Sequence, residues 1–475
     1  SSLAAHGNGK VAVTAAAGLL LFPVIPFAWE GWSLYRRRQR GVTGKRFLTL
    51  ADRVILRTLT TNLLFLGVLV GTRPAAAFTA LSTRGDWMLE GRTGPGIDTA
   101  RRWIFRAADR LEWIYLAVHE DRFAQRDPDP PPVQAVNTGG SGNASTGAPV
   151  ARTSSSGASS ATSASSSSSS SSVPAPEVAP RETAVPSGSS WPVPPVLHPL
   201  VASMPADAEM SVESLGAYIH DHESTEAGRL KLVHDWVADR ISYDGPSYRA
   251  GTIPPQSASA VMSRRNAVCA GYARLTAAVG KAAGLNISYV SGDARGPGIS
   301  ETGSGHAWNV ARVDGREFLL DVTWDSGSLD GATFKKGYRT DYYLTPPEVF
   351  SVDHFPRDPR WQLRATPLSR GDFFRQPMMT PRSYAQRIEL VSPARSQVDV
   401  EGELIVELRA PRGIYTSATV TGDGSTQHCT VERGALVRIR CATPGQRKYR
   451  VEMFSNTQEF GVYDFIGQIE ANARR

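Results

Sequence analysis

Cysteine is scarce in this chain, with three among 475 residues. That excludes a small scaffold stapled by disulfides and leaves each thiol to be accounted for singly. No spacing of Cys and His fits a structural metal site, no glycine-rich phosphate loop is present, no internal repeat appears, and the 9 histidines are scattered. The sequence therefore calls for no metal and no cofactor. Aromatic residues are missing from 124 to 190, where Pro, Ser, Gly, Thr and Ala dominate and eight serines run from Ser165 to Ser172. Such a stretch cannot bury enough apolar surface to offset its ordering entropy, so residues 127–190 read as a disordered linker. As a random coil of about 70 residues it would reach roughly 45 Å, enough for the domain behind it to sweep a zone. Acidic residues are missing from Gly31 to Leu50, against six basic ones (Arg36, Arg37, Arg38, Arg40, Lys45 and Arg46).

That asymmetry has a topological reading. Val11 to Trp29 holds no charged residue, and Val54 to Gly71 is mostly apolar with Arg57 near one end, where it can snorkel to the interface. Two membrane helices joined by a basic, cytoplasmic loop follow from the positive-inside rule, with everything after residue 73 outside the cytoplasm. A cleaved signal peptide is the rival for the first stretch. Residues 97–123 mix aromatics and arginines as either a membrane-surface helix or an ordinary amphipathic one would. With part of the +7 net charge explained by topology, nucleic-acid binding is not expected.

Four regions result. Residues 1–126 form a membrane-anchor region, 127–190 the linker, 191–385 an α+β domain and 386–475 an antiparallel β-sandwich. The last is read from short alternating runs such as ELIVELRA, LVRIRC and YRVEMF. Cys429 and Cys441 fall on two of these runs. A simple hairpin turning at Arg433-Gly434 leaves them offset by roughly 10–13 Å, so a disulfide between them needs another register.

The chemistry lies between these regions. Cys269 opens AGYARLTAAVGKAAG, where Leu275, Val279 and Ala282 or Ala283 recur at helical spacing, so its sulfur sits at a helix N-terminus, which favours the thiolate. Downstream, Asp314-Gly315 suits a two-residue hairpin turn. If Val313 pairs with Arg316, Asp321 faces Trp308 and His306 faces Thr323, and all four share one face. Asp321 is then diagonal to His306, close enough for a carboxylate to orient an imidazole. Cysteine nucleophile, histidine base and orienting acid are the parts of covalent acyl transfer. Trp308 is either a pocket wall that binds substrate or core packing. The loop at 290–305, rich in glycine, reads as a flexible rim or a plain surface loop.

In that order, the phrases CAGYARL, GHAWN and LLDVTWD resemble the transglutaminase-like superfamily. LVHDWVADRISYD (232–244) and YYLTPPEVFSVDHFPRDPRWQL (342–363) are similar to its kyphoscoliosis-peptidase branch. The resemblance covers 210 to 370 and departs from the usual pattern at Arg264-Arg265-Asn266, where a glycine is often seen. It implies a papain-like core with Cys269 as nucleophile, His306 as base and Asp321 as its orienter. The expectation is a membrane-anchored, extracytoplasmic cysteine peptidase or protein-glutamine acyltransferase acting on protein or peptide amides, cell-wall peptide cross-links included. The alternative is a catalytically silent, tethered protein-binding scaffold.

Overall fold

The computed structural model describes residues 11–41, 47–89, 92–119, 121–124, 191–297, 299 and 302–474. The stretch 127–190 read as a linker lies outside the described residues.

The chain begins with two long helices, α1 (Val11–Gln39) and α2 (Leu50–Thr72). Glu30 of α1 is buried between them and pairs with Arg53 at 2.9 Å and Arg57 at 2.5 Å. Arg57 is thus committed to a buried carboxylate. Leu59, Leu63, Leu64, Phe65, Leu66 and Val68 are each more than half exposed on α2. Among the described residues no single helix is long and apolar enough to cross a membrane. Leu50–Leu69 with Pro74–Leu89, bent by 110° at the break, would do so as a pair by length and composition.

Helices α3 (Pro74–Arg84), α4 (Pro95–Asp109) and α5 (Glu112–Val118) follow. They do not stand apart as an anchor; they pack on residues from beyond the linker. Phe78 and Tyr115 meet Phe374 at ring distances of 6.0 and 5.7 Å. Arg84 pairs with Asp399 and Arg395 with Asp86, both at 2.5 Å. Residues 1–126 and 188–475 accordingly form one compact unit. The amphipathic pattern of 97–123 is therefore that of an ordinary docked helix pair, and a catalytic domain swinging freely on the linker is ruled out by these contacts.

The central core carries α6 (Val212–His222), α7 (Glu226–Arg240) and α8 (Cys269–Ala282). Leu230, Val233, Val237 and Ile241 bury the predicted face of α7, and Leu275, Val279 and Ala283 that of α8. Their partner is an antiparallel five-stranded sheet of β1 (Asn286–Ala294), β2 (Ser304–Val313), β3 (Arg316–Leu320), β4 (Tyr343–Thr345) and β5 (His354–Pro356), in the order β4-β3-β2-β1-β5. Regular structure thus runs to Ala294 and resumes at Ser304, further into the glycine-rich stretch than expected. Val313 pairs with Arg316 and Asn309 with Leu320, the predicted register. Asp314 and Gly315 both have positive φ (48° and 77°), as the tight turn requires. Asn309 fixes α8 to the sheet by donating to Ala273 O at 2.9 Å and Ser288 O at 3.1 Å.

The C-terminal region is not two stacked antiparallel sheets. It is one nine-stranded sheet that curls like a barrel, in which β6 (Met378–Met379) and β13 (Lys448–Asn456) pair with the last strand, β14 (Asp464–Arg474). Strand β7 (Glu389–Ser392) pairs with β8 (Gln397–Arg409), and β8 runs parallel to β14. Closure comes from one stretch of chain. Its first half, β10 (Ser425–His428), pairs with β9 (Tyr415–Gly422), and its second half, β11 (Thr430–Glu432), pairs with β12 (Val437–Thr443). Cys429 at the switch donates its N–H to Ala418 O at 2.9 Å. Because Thr430 pairs with Arg440, Cys429 lies straight across from Cys441, and a disulfide joins them with Cα atoms 4.5 Å apart. The loop between β11 and β12 turns around Ala435 instead of Arg433-Gly434, the other register that a bridge needed. With the cysteines 12 positions apart in sequence, the bridge should stabilise the folded state by about 3 kcal/mol. Denaturant unfolding of Cys429→Ala/Cys441→Ala, followed by far-UV circular dichroism, should show a loss of about that size; an unchanged midpoint would refute it.

Candidate active site

Cys269 is the first residue of α8, and Val268 before it caps the helix with extended backbone but no side-chain acceptor. The Val268 N–H instead donates to Gln256 Oε1 at 3.0 Å, which fixes the approach to the helix. That contact explains the glycine in CAGY: a Cβ on Gly271 would lie 2.3 Å from the same oxygen. Cys269 is 1% exposed.

His306, in β2, donates through Nε2 to Asp321 Oδ2 at 2.7 Å, and the Cys269 sulfur is near enough to act on its charge. The three predicted residues are therefore brought together in the predicted order. Burial by itself would lower the His306 pKa, but the Asp321 carboxylate and the Cys269 sulfur outweigh it and push it up to about 9. At neutral pH the imidazole is a cation beside the thiol, the arrangement that stabilises a thiolate.

Asp321 does not continue β3 as expected. The strand stops at Leu320, and Asp321 caps a short helix, α9 (Val322–Asp325), its Oδ1 accepting from the N–H groups of Thr323 (2.9 Å) and Trp324 (3.3 Å). Thr323 is thus part of a helical turn and not a strand residue facing His306. The capping role holds the carboxylate still while its other oxygen serves the imidazole.

A residue not foreseen completes the group. His354, at the start of β5, places Nε2 3.2 Å from Asp321 Oδ2 and Nδ1 2.7 Å from Asp353 Oδ1. It is fully buried, with Phe350 stacked at 4.1 Å and Trp324 at 4.6 Å. Burial opposes its charge, yet Asp353 and Asp321 together raise it to about 9. Burial likewise works against ionised Asp321, and the two imidazoles nevertheless hold it well below the usual carboxylate range. His306, Asp321 and His354 also bring one ligand atom each within 4.8 Å of one another. Nothing further points to a metal there, because every facing polar atom already serves the hydrogen-bond relay. The one sequence hint of His354 was the acidic neighbour in VDHF, and adjacency cannot reveal a partner 33 residues away.

Trp308 is not a substrate-binding residue. It is 1% exposed and packs with Val290, Val310, Leu319, Tyr342 and Phe350 beneath the histidines. Trp324 takes the surface position instead, 5.1 Å from the His306 ring and lining a cavity that opens beside it. Phe123, which precedes the linker, belongs to the same buried cluster as Cys269. Tyr289 donates its hydroxyl to Phe123 O, and Ser291 donates to Asp121 Oδ2 at 2.6 Å. The Phe123 ring lies 3.6 Å from where a Gly305 Cβ would stand.

Residues 213–320 match the family model for the transglutaminase-like superfamily. Cys269 and His306 lie inside the match, and Asp321 one residue past its end. Kyphoscoliosis peptidase of Mus musculus is 30% identical over 252 residues, which are 49% of this chain and 37% of that protein. The Homo sapiens protein of the same name is 30% identical over 174 residues, 35% of this chain and 26% of that protein. The chain thus spans 37% or less of the relatives it matches. A solved structure of a TGase aligns with 24% of this chain and 32% of its own at 20% identity and a TM-score of 0.20. The likeness read from CAGYARL, GHAWN and LLDVTWD, and from the flanking phrases, is borne out by the family model and the two peptidases.

The relay predicts a pH profile of stability. Below about pH 6.5 the two imidazoles are protonated in folded and unfolded chains alike, and their contribution is fully present. As pH rises from there through about 9, the unfolded chain releases protons that the folded one retains. Stability should fall by up to about 1.4 kcal/mol per pH unit for each imidazole. On the acid side the Asp321 contribution, present above its ordinary pKa near 4, is lost as pH drops below it. Thermal melts of the full-length protein from pH 3 to 10 check this, and His354→Gln should reduce the alkaline slope; a flat profile above pH 7 would count against the relay.

Proposed function

Given a chain whose residues 213–320 form a transglutaminase-like domain, we propose that it is a cysteine acyl-transfer enzyme acting on protein or peptide amides. The observation carrying this reading is the Cys269–His306–Asp321 contact set, with an imidazole of pKa about 9 against the sulfur. The thiolate of Cys269 attacks the amide carbon, and the carbonyl oxygen gathers charge near the N–H groups at the N-terminus of α8. The carbon–nitrogen bond then breaks, and His306 gives its proton to the departing amine, leaving a thioester on Cys269. Water attacking the thioester yields a carboxylic acid and returns the thiol, which is hydrolysis; a second amine yields a new amide, which is cross-linking. Asp321 keeps the imidazole oriented through both halves and stabilises its charge whenever it holds the proton, and His354 holds Asp321 in turn.

The same reading puts the catalytic unit at a membrane and outside the cytoplasm. The uncovered apolar face of α2 supports a lipid neighbour, and the Cys429–Cys441 bridge supports an oxidising compartment. Protein or peptide is the partner in this account.

One observation favours a silent binding scaffold: Cys269 is nearly inaccessible, 1% exposed within a buried apolar cluster. Alkylation separates the two. Cys269 is the free cysteine left by the single disulfide, so labelling of the full-length protein reports on one site. Iodoacetamide should modify it near neutral pH faster than it modifies an ordinary exposed thiol, and His306→Ala should slow the reaction at least about tenfold. A rate no greater than that of a simple thiol, unaffected by His306→Ala, would favour the scaffold.

A further inference from the structure

The cavity beside His306 has a volume of about 310 Å³, the lower end of the range for small-molecule sites, and suits one large side chain. Tyr243, Trp324, Phe334 and Tyr342 give it an aromatic wall from the catalytic core. The opposite wall comes from the segment leading into the β-domain and from its last strand, through Met378, Pro381 and Phe465. Besides His306, whose charge is met by Asp321 at 2.7 Å, three charged residues line it, Arg339, Asp341 and Arg382, and each is engaged in an ion pair. Arg382 pairs with Asp341 at 2.9 Å and with Asp464 at 2.8 Å, and Arg339 pairs with Asp464 at 3.2 Å. Two guanidiniums and two carboxylates leave no net charge.

We propose that this cavity receives an uncharged aromatic or long aliphatic side chain of the substrate, next to the amide that Cys269 attacks, and that the C-terminal domain supplies the selecting far wall. The proposal rests on the acyl-transfer reading of the same site. A lysine or glutamate entering would lose its hydration and find every opposite charge already engaged, an uncompensated cost. An apolar side chain would bury its surface against rings on one side and Met378 and Phe465 on the other, with no polar group stranded. Because Met378 and Phe465 are outside the transglutaminase-like match, side-chain preference would be set by sequence that the family model does not cover.

Peptidyl chloromethyl ketones test this, since each alkylates the sulfur with loss of chloride while presenting one side chain. Four reagents ending in Phe, Leu, Lys or Glu are compared on the full-length protein, with iodoacetamide as the reference that presents none. The Phe and Leu reagents should react at least about tenfold faster than the Lys and Glu reagents, the discrimination a hydrophobic pocket typically gives. Met378→Trp, filling the cavity from the β-domain side, should abolish the preference, with iodoacetamide, which presents no side chain, reporting how reactive the sulfur itself is in that variant. Leu329→Glu, at a lining position 41% exposed and so tolerant of substitution, should shift the preference toward the Lys reagent. Equal rates for all four reagents, or a preference untouched by both variants, would overturn the proposal. Should no reagent, iodoacetamide included, outpace a simple thiol, it is the acyl-transfer reading that falls. The cavity is then judged by calorimetric binding of N-acetyl-phenylalanine amide: uptake lost in Met378→Trp supports it, and no uptake overturns it.

Discussion

A single buried carboxylate organises this molecule. Asp321 has no access to water and accepts from two backbone N–H groups on one oxygen and two imidazoles on the other. A buried charge left short of partners costs several kcal/mol, so each of the four donors is constrained by the need to be there. The constraint ends β3 at Leu320, starts α9, brings β5 to the sheet edge and fixes the tilt of His306. The same short helix ends at Asp325, which has the opposite character. Burial pushes that carboxyl up to about 6, and its contact with His234 only partly offsets the rise. His234 in turn bridges to Asp235 at 2.9 Å, tying α7 behind the catalytic turn. One turn of helix thus carries an ionised acid at its start, for chemistry, and a second acid at its end that secures it to the core.

The parts of the fold legible in the sequence are those determined over short distances. The helical spacing after Cys269, the Asp314-Gly315 turn and the register it sets each depend on neighbouring residues, and each appears as read. From them the meeting of His306 with Asp321 followed without any tertiary information. Three things were not legible. Trp308 and Trp324 look alike as sequence, and only the switch from strand to helix at Asp321 decides which reaches the surface. The partnership of His354 with Asp321 comes from sheet order, in which β5 lies beside β1 far from its sequence neighbours. The packing of α3 to α5 depends on aromatics and arginines whose partners lie beyond the linker, so an amphipathic pattern there could not reveal what it faced.

The surroundings of Cys269 are asymmetric in a way that bears on mechanism. Phe123 and Tyr289 share a buried apolar cluster with Cys269, whereas His306 borders a cavity. In the proposed reaction the imidazole that delivers the leaving-group proton therefore also borders the cavity proposed for the substrate side chain. In that proposed reaction, surroundings that exclude water would favour transfer to an amine over hydrolysis.

The docking of α3 to α5 has a consequence for how the protein is made. Asp86 and Arg395 are 309 residues apart, and Ser82 and Arg375 are 293 apart. At synthesis rates of about 5–20 residues per second, the early helices would wait roughly 15–60 s for the partners that bury them. During that interval Phe78, Phe105 and Tyr115 have no native surface to cover them. Final consolidation of the catalytic body is therefore a late event, reached only when the β-domain closes back over the oldest part of the chain.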